Sequence, residues 1–165
     1  MLAIFTKRLD LISAADIAEL TAEKWPEGYQ VEFKEALSVK KGSPHPWFTG
    51  GDDIGDHARN EILGEVIAFA NAQGGSVVLG IEETPDKPPR AHAIAPLPRV
   101  GELARRFEDQ ARSCIDPPLP RLQIRAIETD GQKGGVVVFR VSPSRAAPHR
   151  LTTTRRASSG ADQVA

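Results

Sequence analysis

The stretch 56–81 restricts the fold more than any other part of the chain. Ile62, Leu63, Val66, Ile67 and Ala70 recur at three- and four-residue spacing, which predicts a helix with one apolar face over 56–71. Gln73-Gly74-Gly75 stops it, because glycine tolerates the left-handed backbone that closes a helix. Ser76-Val77-Val78-Leu79-Gly80-Ile81 follows at once, apolar and rich in β-branched residues, the pattern of a buried central strand. Helix into buried strand is therefore set, and the other elements must fit around that unit.

Upstream, Ser13 can cap a helix with Asp16 three residues on, and Ile12 can staple against Ile17, so a helix should run from Ser13 to about residue 24. Gln30-Val31-Glu32-Phe33-Lys34 alternates with period two, which puts Val31 and Phe33 on a core face and Gln30, Glu32 and Lys34 on the other. The segment 38–55 is rich in Gly, Pro, Ser and Asp and lacks periodicity, so it reads as an exposed loop, long enough to suggest function or disorder. Residues 84–98 are Pro-rich and mostly loop, with room for a short strand at 92–95. Leu103, Phe107 and Ala111 at four-residue intervals predict a second long helix over 100–115, stopped by Asp116-Pro117-Pro118. Beyond it, 122–127 and 136–141 flank Asp130-Gly131 and Gly134-Gly135 as the arms of a hairpin.

The order β-α-β-α-β-β ends in an antiparallel pair, so a pure doubly wound parallel sheet is excluded. An α+β (mixed α/β) domain is expected instead: a four-stranded mixed sheet with two helices on one face, plus an extra N-terminal helix. The divisions expected are an N-terminal extension over 1–12, one domain over 13–150, and a polar, disordered tail over 151–165. No repeat of about 20 to 50 residues occurs, which sets solenoids and propellers aside.

Length and composition, 165 residues with 40% apolar and 26% charged, fit one soluble globular domain. No apolar run approaches the roughly 18 residues of a membrane helix, and the N-terminus lacks the pattern of a signal peptide, so a cytoplasmic protein with no membrane partner is expected. The lone Cys114 sits at helical spacing without a CxxC or a nearby His and reads as core. The net charge of −1 conceals an asymmetry: residues 1–90 hold 9 Lys and Arg against 15 Asp and Glu, and the rest 12 against 7. In the positive half Arg140, Arg145, Arg150, Arg155 and Arg156 follow one another with no acid between them. Such a row is what a phosphate-neutralising surface requires, and equally what a solvated tail contains.

Three segments carry a resemblance: VEFKEAL at 31–37, EVIAFANAQGGSVVLGIEE at 65–83, and a Pro-containing helix end followed by a hairpin and APH at 147–149. Together they resemble the Schlafen-like AlbA domain family over roughly residues 25 to 150. Its bacterial members have often been described as DNA-binding or transcription-related. The middle segment matches the family's pattern almost position by position. The resemblance implies the same β-α-β-α-β-β order that the periodicity gives. Family members usually continue past the Pro-His region into one more strand carrying a tyrosine and an Arg-Gly-Ser-like segment. Here Thr152-Thr153-Thr154-Arg155-Arg156 leads into small polar residues with no strand signal.

In the vertebrate branch the resemblance implies RNA cleavage by three acids, which transfer to Glu27, Glu32 and Glu82 as a catalytic and metal-holding set. Oxygen-only carboxylates suit Mg²⁺ or Mn²⁺, which can activate water and stabilise a phosphoryl group. The same residues are equally ordinary on the outer face and at the end of a strand. Lys34 shares a strand face with Glu32 and can hold a phosphate beside it, with Lys40 and Lys41 further along.

His45, His57, His92 and His149 have no ligand-like spacing and read as polar surface or loop groups. Gly74-Gly75 follows a helix and precedes a strand, the reverse of a phosphate loop, and no GxxxxGK[ST] is present, so no ATP is expected. Trp25, Tyr29, Trp47 and Phe48 flank the acidic strand and its loop, where rings either stack on unpaired bases or pack, packing being the expectation for Trp25 and Tyr29. The functions expected are DNA or RNA binding through the basic residues, Mg²⁺- or Mn²⁺-dependent RNA cleavage, or assembly as a homodimer through a sheet edge.

Overall fold

A computed structural model describes residues 2–42, 44–129 and 134–152. In chain order its elements are α1 (Ala3–Thr6), α2 (Ala14–Ala22), β1 (Val31–Lys34), α3 (Asp56–Ala70), β2 (Gly75–Leu79), β3 (Ile81–Glu83), β4 (Ala91–Ile94), α4 (Val100–Cys114), β5 (Ile115–Asp116), β6 (Gln123–Glu128), β7 (Gly135–Val141) and β8 (Arg150–Leu151). Short 3-10 turns lie at Leu9–Leu11 and Pro46–Thr49.

The central sheet has the order β1-β2-β7-β6, with β1 parallel to β2 and the other pairs antiparallel. This is the mixed four-stranded α+β sheet that the periodicity predicts, and both long helices lie on one face of it. There α3 and α4 bury Ile62, Leu63, Val66, Leu103 and Phe107 against Val77, Leu79, Val137 and Phe139. The Phe107 and Phe139 rings meet edge to face, with centroids 5.0 Å apart. Between β2 and β3 the chain turns at Gly80, whose φ of +108° only glycine adopts without strain. At Gly75 a Cβ would stand 2.5 Å from the Phe69 ring, so the pair that ends α3 also lets the sheet approach it.

The opposite face is covered from the N-terminus. Leu2, Ile4, Leu9, Ile12, Ile17 and Leu20 pack on Val31, Phe33, Val78, Val136 and Val138 in a second core. The first twelve residues therefore contribute to the interior. Ser13 and Asp16 form the expected reciprocal cap on α2, and the Ser13 N–H bond, helped by Lys7, holds the Asp16 carboxyl below its ordinary range.

Three expectations change. The segment 38–55 is not simply exposed, since Trp47 and Ile54 are buried within it. The Trp47 indole donates to Pro98 O at 2.7 Å, and the Arg99 guanidinium lies 4.0 Å above the ring while donating to Trp47 O and Gly51 O. Turn-forming composition marks where the chain bends and is blind to the two apolar side chains that fold back. His45 and His149, expected at the surface, are also buried. His45 Nδ1 accepts the Trp47 N–H, which makes Nε2 the donor to Ile54 O at 2.6 Å. His149 uses Nδ1 toward Pro117 O and Nε2 toward Ser144 Oγ, satisfying a turn that composition alone cannot pair. Cys114 is buried as expected.

The two most family-like segments meet in space. Asn71, the last residue of AFAN, donates to His149 O at 3.1 Å and accepts the His149 N–H at 2.8 Å, tying APH to the end of α3. The chain then pairs β8 with β5, and Thr152 N–H donates to Cys114 O. The expected tail beyond that point falls outside the described residues, as do the 130–133 turn and the two arginines at 155 and 156. Among the described residues no helix is long and apolar enough to cross a membrane.

Candidate acidic site at the β1 edge

β1 is an outer strand of the sheet, and its alternation divides its side chains as predicted. Val31 and Phe33 enter the second core, while Glu32 and Lys34 point to the face carrying α3. Because nothing among the described residues pairs with the far side of β1 as a full strand, Glu32 and Lys34 remain half-buried there.

The lead-in before β1 folds back along that outer side. Gly28 N–H donates to Val31 O at 3.1 Å, and Phe33 N–H donates to Glu27 Oε1 at 2.9 Å. The lead-in is itself fixed to the β4 side, with Glu27 N–H on Pro89 O and Ala91 N–H on Trp25 O. Glu27 is thus held beside the strand that carries Glu32.

The third carboxylate beside them is Glu83. Its side chain hydrogen-bonds to Glu27, and burial, this bond and the nearby charges of Glu27 and Glu32 push its pKa up to about 7. Burial, Glu27 and Glu65 likewise raise Glu32, opposed by Lys34. Lys34 Nζ lies 3.4 Å from Glu32 and 3.9 Å from Glu65 of α3. Burial works against its charge, yet Glu32, Glu61 and Glu65 outweigh that and raise its pKa. One lysine therefore sits among more carboxyl groups than it can neutralise, and Glu83 responds by keeping its proton.

The sequence-derived set is corrected at one position: Glu27 and Glu32 come together, but Glu82 points away and is exposed. Ile81 enters the core, so a period-two count from Ile81 would have put Glu83 rather than Glu82 on the inward side. Glu61 and Glu65 were missed as well, although their four-residue spacing places them on one flank of α3. Among the described residues no three His, Cys, Asp or Glu side chains converge closely enough, as they stand, to ligate one ion.

Of the predicted basic residues that are described, Arg140 is withdrawn from the solvent face. The Arg140 guanidinium donates to the carbonyls of Ile4 and Lys7, and burial lowers its pKa, so it anchors the N-terminus instead of meeting solvent phosphate. Arg150 is exposed and pairs with Asp116 at 3.4 Å. Arg145, Lys40 and Lys41 are exposed. A one-dimensional row of arginines said nothing about which carbonyls would claim them. Among the aromatic residues, Trp25 packs against Phe5 at 5.3 Å and Phe48 is half-buried. Tyr29, expected to pack, is instead 93% exposed two residues from Glu27, because the tight turn at Gly28 projects it outward.

The family description "Schlafen, AlbA_2" matches residues 27–161. The chain belongs to the Schlafen AlbA_2 family. The N-terminal domain of a RecG-related protein from Nitrosomonas europaea, named there as an ATP-dependent DNA helicase, has a similar solved structure. The two are 24% identical with a TM-score of 0.57, over 87% of this chain and 83% of that one, a likeness of fold. No curated protein matches the chain. The family match begins at Glu27, so the AlbA_2 region takes in the acidic cluster and leaves α1 and α2 outside it.

Proposed function

We propose that this AlbA_2 domain binds nucleic acid, DNA or RNA, at the β1 edge, and that Glu27, Glu32 and Glu83, which do not converge on one ion as they stand, would draw together there around a divalent cation held against the phosphate backbone. The observation carrying this reading is the crowding of Glu27, Glu32 and Glu83 at a half-buried strand edge, with Lys34 beside Glu32. All donors are carboxylate oxygens, the set that suits Mg²⁺ or Mn²⁺, and the proton kept by Glu83 relieves the same crowding that a cation would relieve. When bound, such an ion would neutralise phosphate charge and make a bound water more acidic.

The chain's own groups have separable roles. Glu27 is oriented by the Phe33 N–H, so its carboxylate is fixed before any ligand arrives. With a cation bound, Glu83 would hold it as the carboxylate, its proton released to solvent. Lys34, beside Glu32, offers a direct contact to a phosphate oxygen. Tyr29 presents a free ring next to the cluster, where an unpaired base can stack. Lys40 and Lys41 extend positive charge along the loop that follows β1. The helicase-type neighbour agrees with a nucleic-acid partner, and a role in transcription would follow from duplex DNA being the preferred strand.

The test incubates the purified protein with labelled single-stranded RNA, structured RNA and duplex DNA, with Mn²⁺ or with EDTA, at two salt concentrations. Retention that requires Mn²⁺ and is lost in Glu32→Ala is the expected result. Retention indifferent to EDTA would sink the cation but leave the nucleic acid. Failure to retain any strand would sink both. Cleaved strands in the Mn²⁺ lanes would make the site that of a metal-dependent nuclease.

A further inference from the structure

Among the described residues the far edge of the sheet, β6, has no partner on its outer side. Which of its backbone groups point outward follows from the ladder. Thr129 N–H bonds Gly134 O just beyond the β6–β7 register, and Gly135 exchanges both its bonds with Leu97 on the other side of β7. The alternation of an antiparallel pair then turns Gln123, Arg125 and Ile127 toward β7 and leaves Ile124, Ala126 and Glu128 facing out. No hydrogen bond among the described residues takes up these three outward N–H and C=O pairs in the ladder direction. Of the usual protections β6 lacks proline, lysine and a bulge; of its two charges, Arg125 is engaged by the carbonyls of Leu9 and Ile12, which leaves Glu128.

A groove of about 470 Å³ runs beside the first half of this edge, between α4 and the 3-10 turn at Leu9–Leu11. Ala111, Leu119, Leu122 and Ile124 give it an apolar floor, and Arg112 and Glu108 stand on its α4 wall.

We infer that β6 pairs antiparallel with β6 of a second copy of this chain, about a two-fold axis at Ala126. That register is self-complementary. Ile124 falls opposite Glu128 of the second copy, Ala126 opposite Ala126, and Glu128 opposite Ile124, so each outward residue meets another outward residue. Every free N–H and C=O of the three is then satisfied. A shift by one residue would instead oppose outward with inward residues and leave the same groups unpaired. The side chains bear on the register as well: Ile124 and Ala126 already pack toward α4, so Glu128 of the second copy arrives on the α4 side, where Arg112 would share its charge between that carboxylate and Asp109, its ion-pair partner in the monomer. The result is one continuous eight-stranded sheet with an acidic β1 edge at each outer end. The pairing does not depend on what binds at those outer ends.

Sedimentation velocity over a dilution series from the high-micromolar range tests this, with Ala126→Pro as the variant. The Ala126 N–H points outward, so proline there removes no bond within the monomer while blocking the axis of the dimer. The wild type should dimerise reversibly, and Ala126→Pro should weaken dimerisation by about tenfold or more. Hydrogen exchange supplies the second readout and stands even if the variant folds poorly: the amides of Ile124, Ala126 and Glu128 should gain protection as concentration rises, and those of Gln123, Arg125 and Ile127 should not change. A wild type that stays monomeric throughout, or dimerises with no added protection at those three amides, overturns the inference.

Discussion

At the β1 edge, two of the strand's outward groups are taken by what precedes it: Val31 O by the Gly28 N–H, and Phe33 N–H by the Glu27 carboxylate. At the β6 edge, Ile124, Ala126 and Glu128 face outward with no backbone partner among the described residues. Both strands are outermost in the same sheet, and both are short. The difference lies in charge. The closed edge is shielded by a carboxylate that also belongs to the acidic cluster, so protection of the edge and construction of the site use one residue. The open edge has an apolar floor beside it, and its charges are mixed in sign instead of gathered as carboxylates, which favours another strand over an ion.

The largest effect that sharpens this contrast is on the charged edge. Glu32→Ala removes a central carboxylate without touching a backbone bond, so the fold should be unchanged by circular dichroism. Mn²⁺-dependent retention of nucleic acid should fall by about 10- to 100-fold. The corresponding change at the other edge, Ala126→Pro, should leave that retention alone when protein is dilute. If Glu32→Ala binds as the wild type does, the site is not at β1.

The edges should also differ in hydrogen exchange. In dilute protein the Phe33 amide, bonded to Glu27, should exchange on the order of tenfold or more slower than the amides of Ile124, Ala126 and Glu128. Glu27→Ala should erase that gap by freeing Phe33, whereas Glu27→Gln should keep it, since the amide oxygen still accepts. A Phe33 amide that remains slow in Glu27→Ala would show that burial, not the carboxylate, closes the edge.

Much of this was legible in the chain, and what was not has specific physical causes. The apolar spacing of Ile62 to Ala70 and the β-branched run after Gly75 gave the α3–β2 unit, because burial on a face leaves a periodic trace. The alternation at β1 placed Glu32 and Lys34 on one side for the same reason. Glu83 was misassigned by one position because motif spacing was followed where the inward Ile81 already set the parity. Arg140 and Trp47 went astray because their surroundings come from segments far away in sequence, carbonyls of Ile4 and Lys7 for the first and Pro98 and Arg99 for the second, whereas Tyr29 is turned out locally by the tight turn at Gly28.

Stability against pH gives a smaller effect, of definite sign. Glu83 titrates near 7 in the folded protein against an ordinary value of 4.5, so the native state holds a proton in that window that the unfolded chain has released. The contribution is therefore present below about 4.5 and is lost as pH rises through 7. Glu83→Gln has no such loss and should be more stable than the wild type at pH 8 by about 1–2 kcal/mol, after allowance for solvent screening of a half-buried group, with no difference at pH 4. Mn²⁺ at pH 8 should narrow the gap by stabilising the wild type alone. Equal denaturation midpoints for the two proteins at pH 8 would contradict the carboxyl crowding on which the site rests.

The smallest effect concerns Tyr29, and it separates recognition of bases from recognition of phosphate. The ring is exposed beside the cluster and packs on nothing, so Tyr29→Ala costs the fold essentially no buried area. If the ring stacks on an unpaired base, its loss should weaken single-stranded RNA or DNA binding by about fivefold, near the low end of a single stacking contact, and leave duplex binding unchanged. Tyr29→Phe should bind like the wild type, because stacking needs the ring and not the hydroxyl. An equal loss on single strands and duplex would place Tyr29 at a backbone contact instead, and the β1 edge would then read phosphate spacing alone.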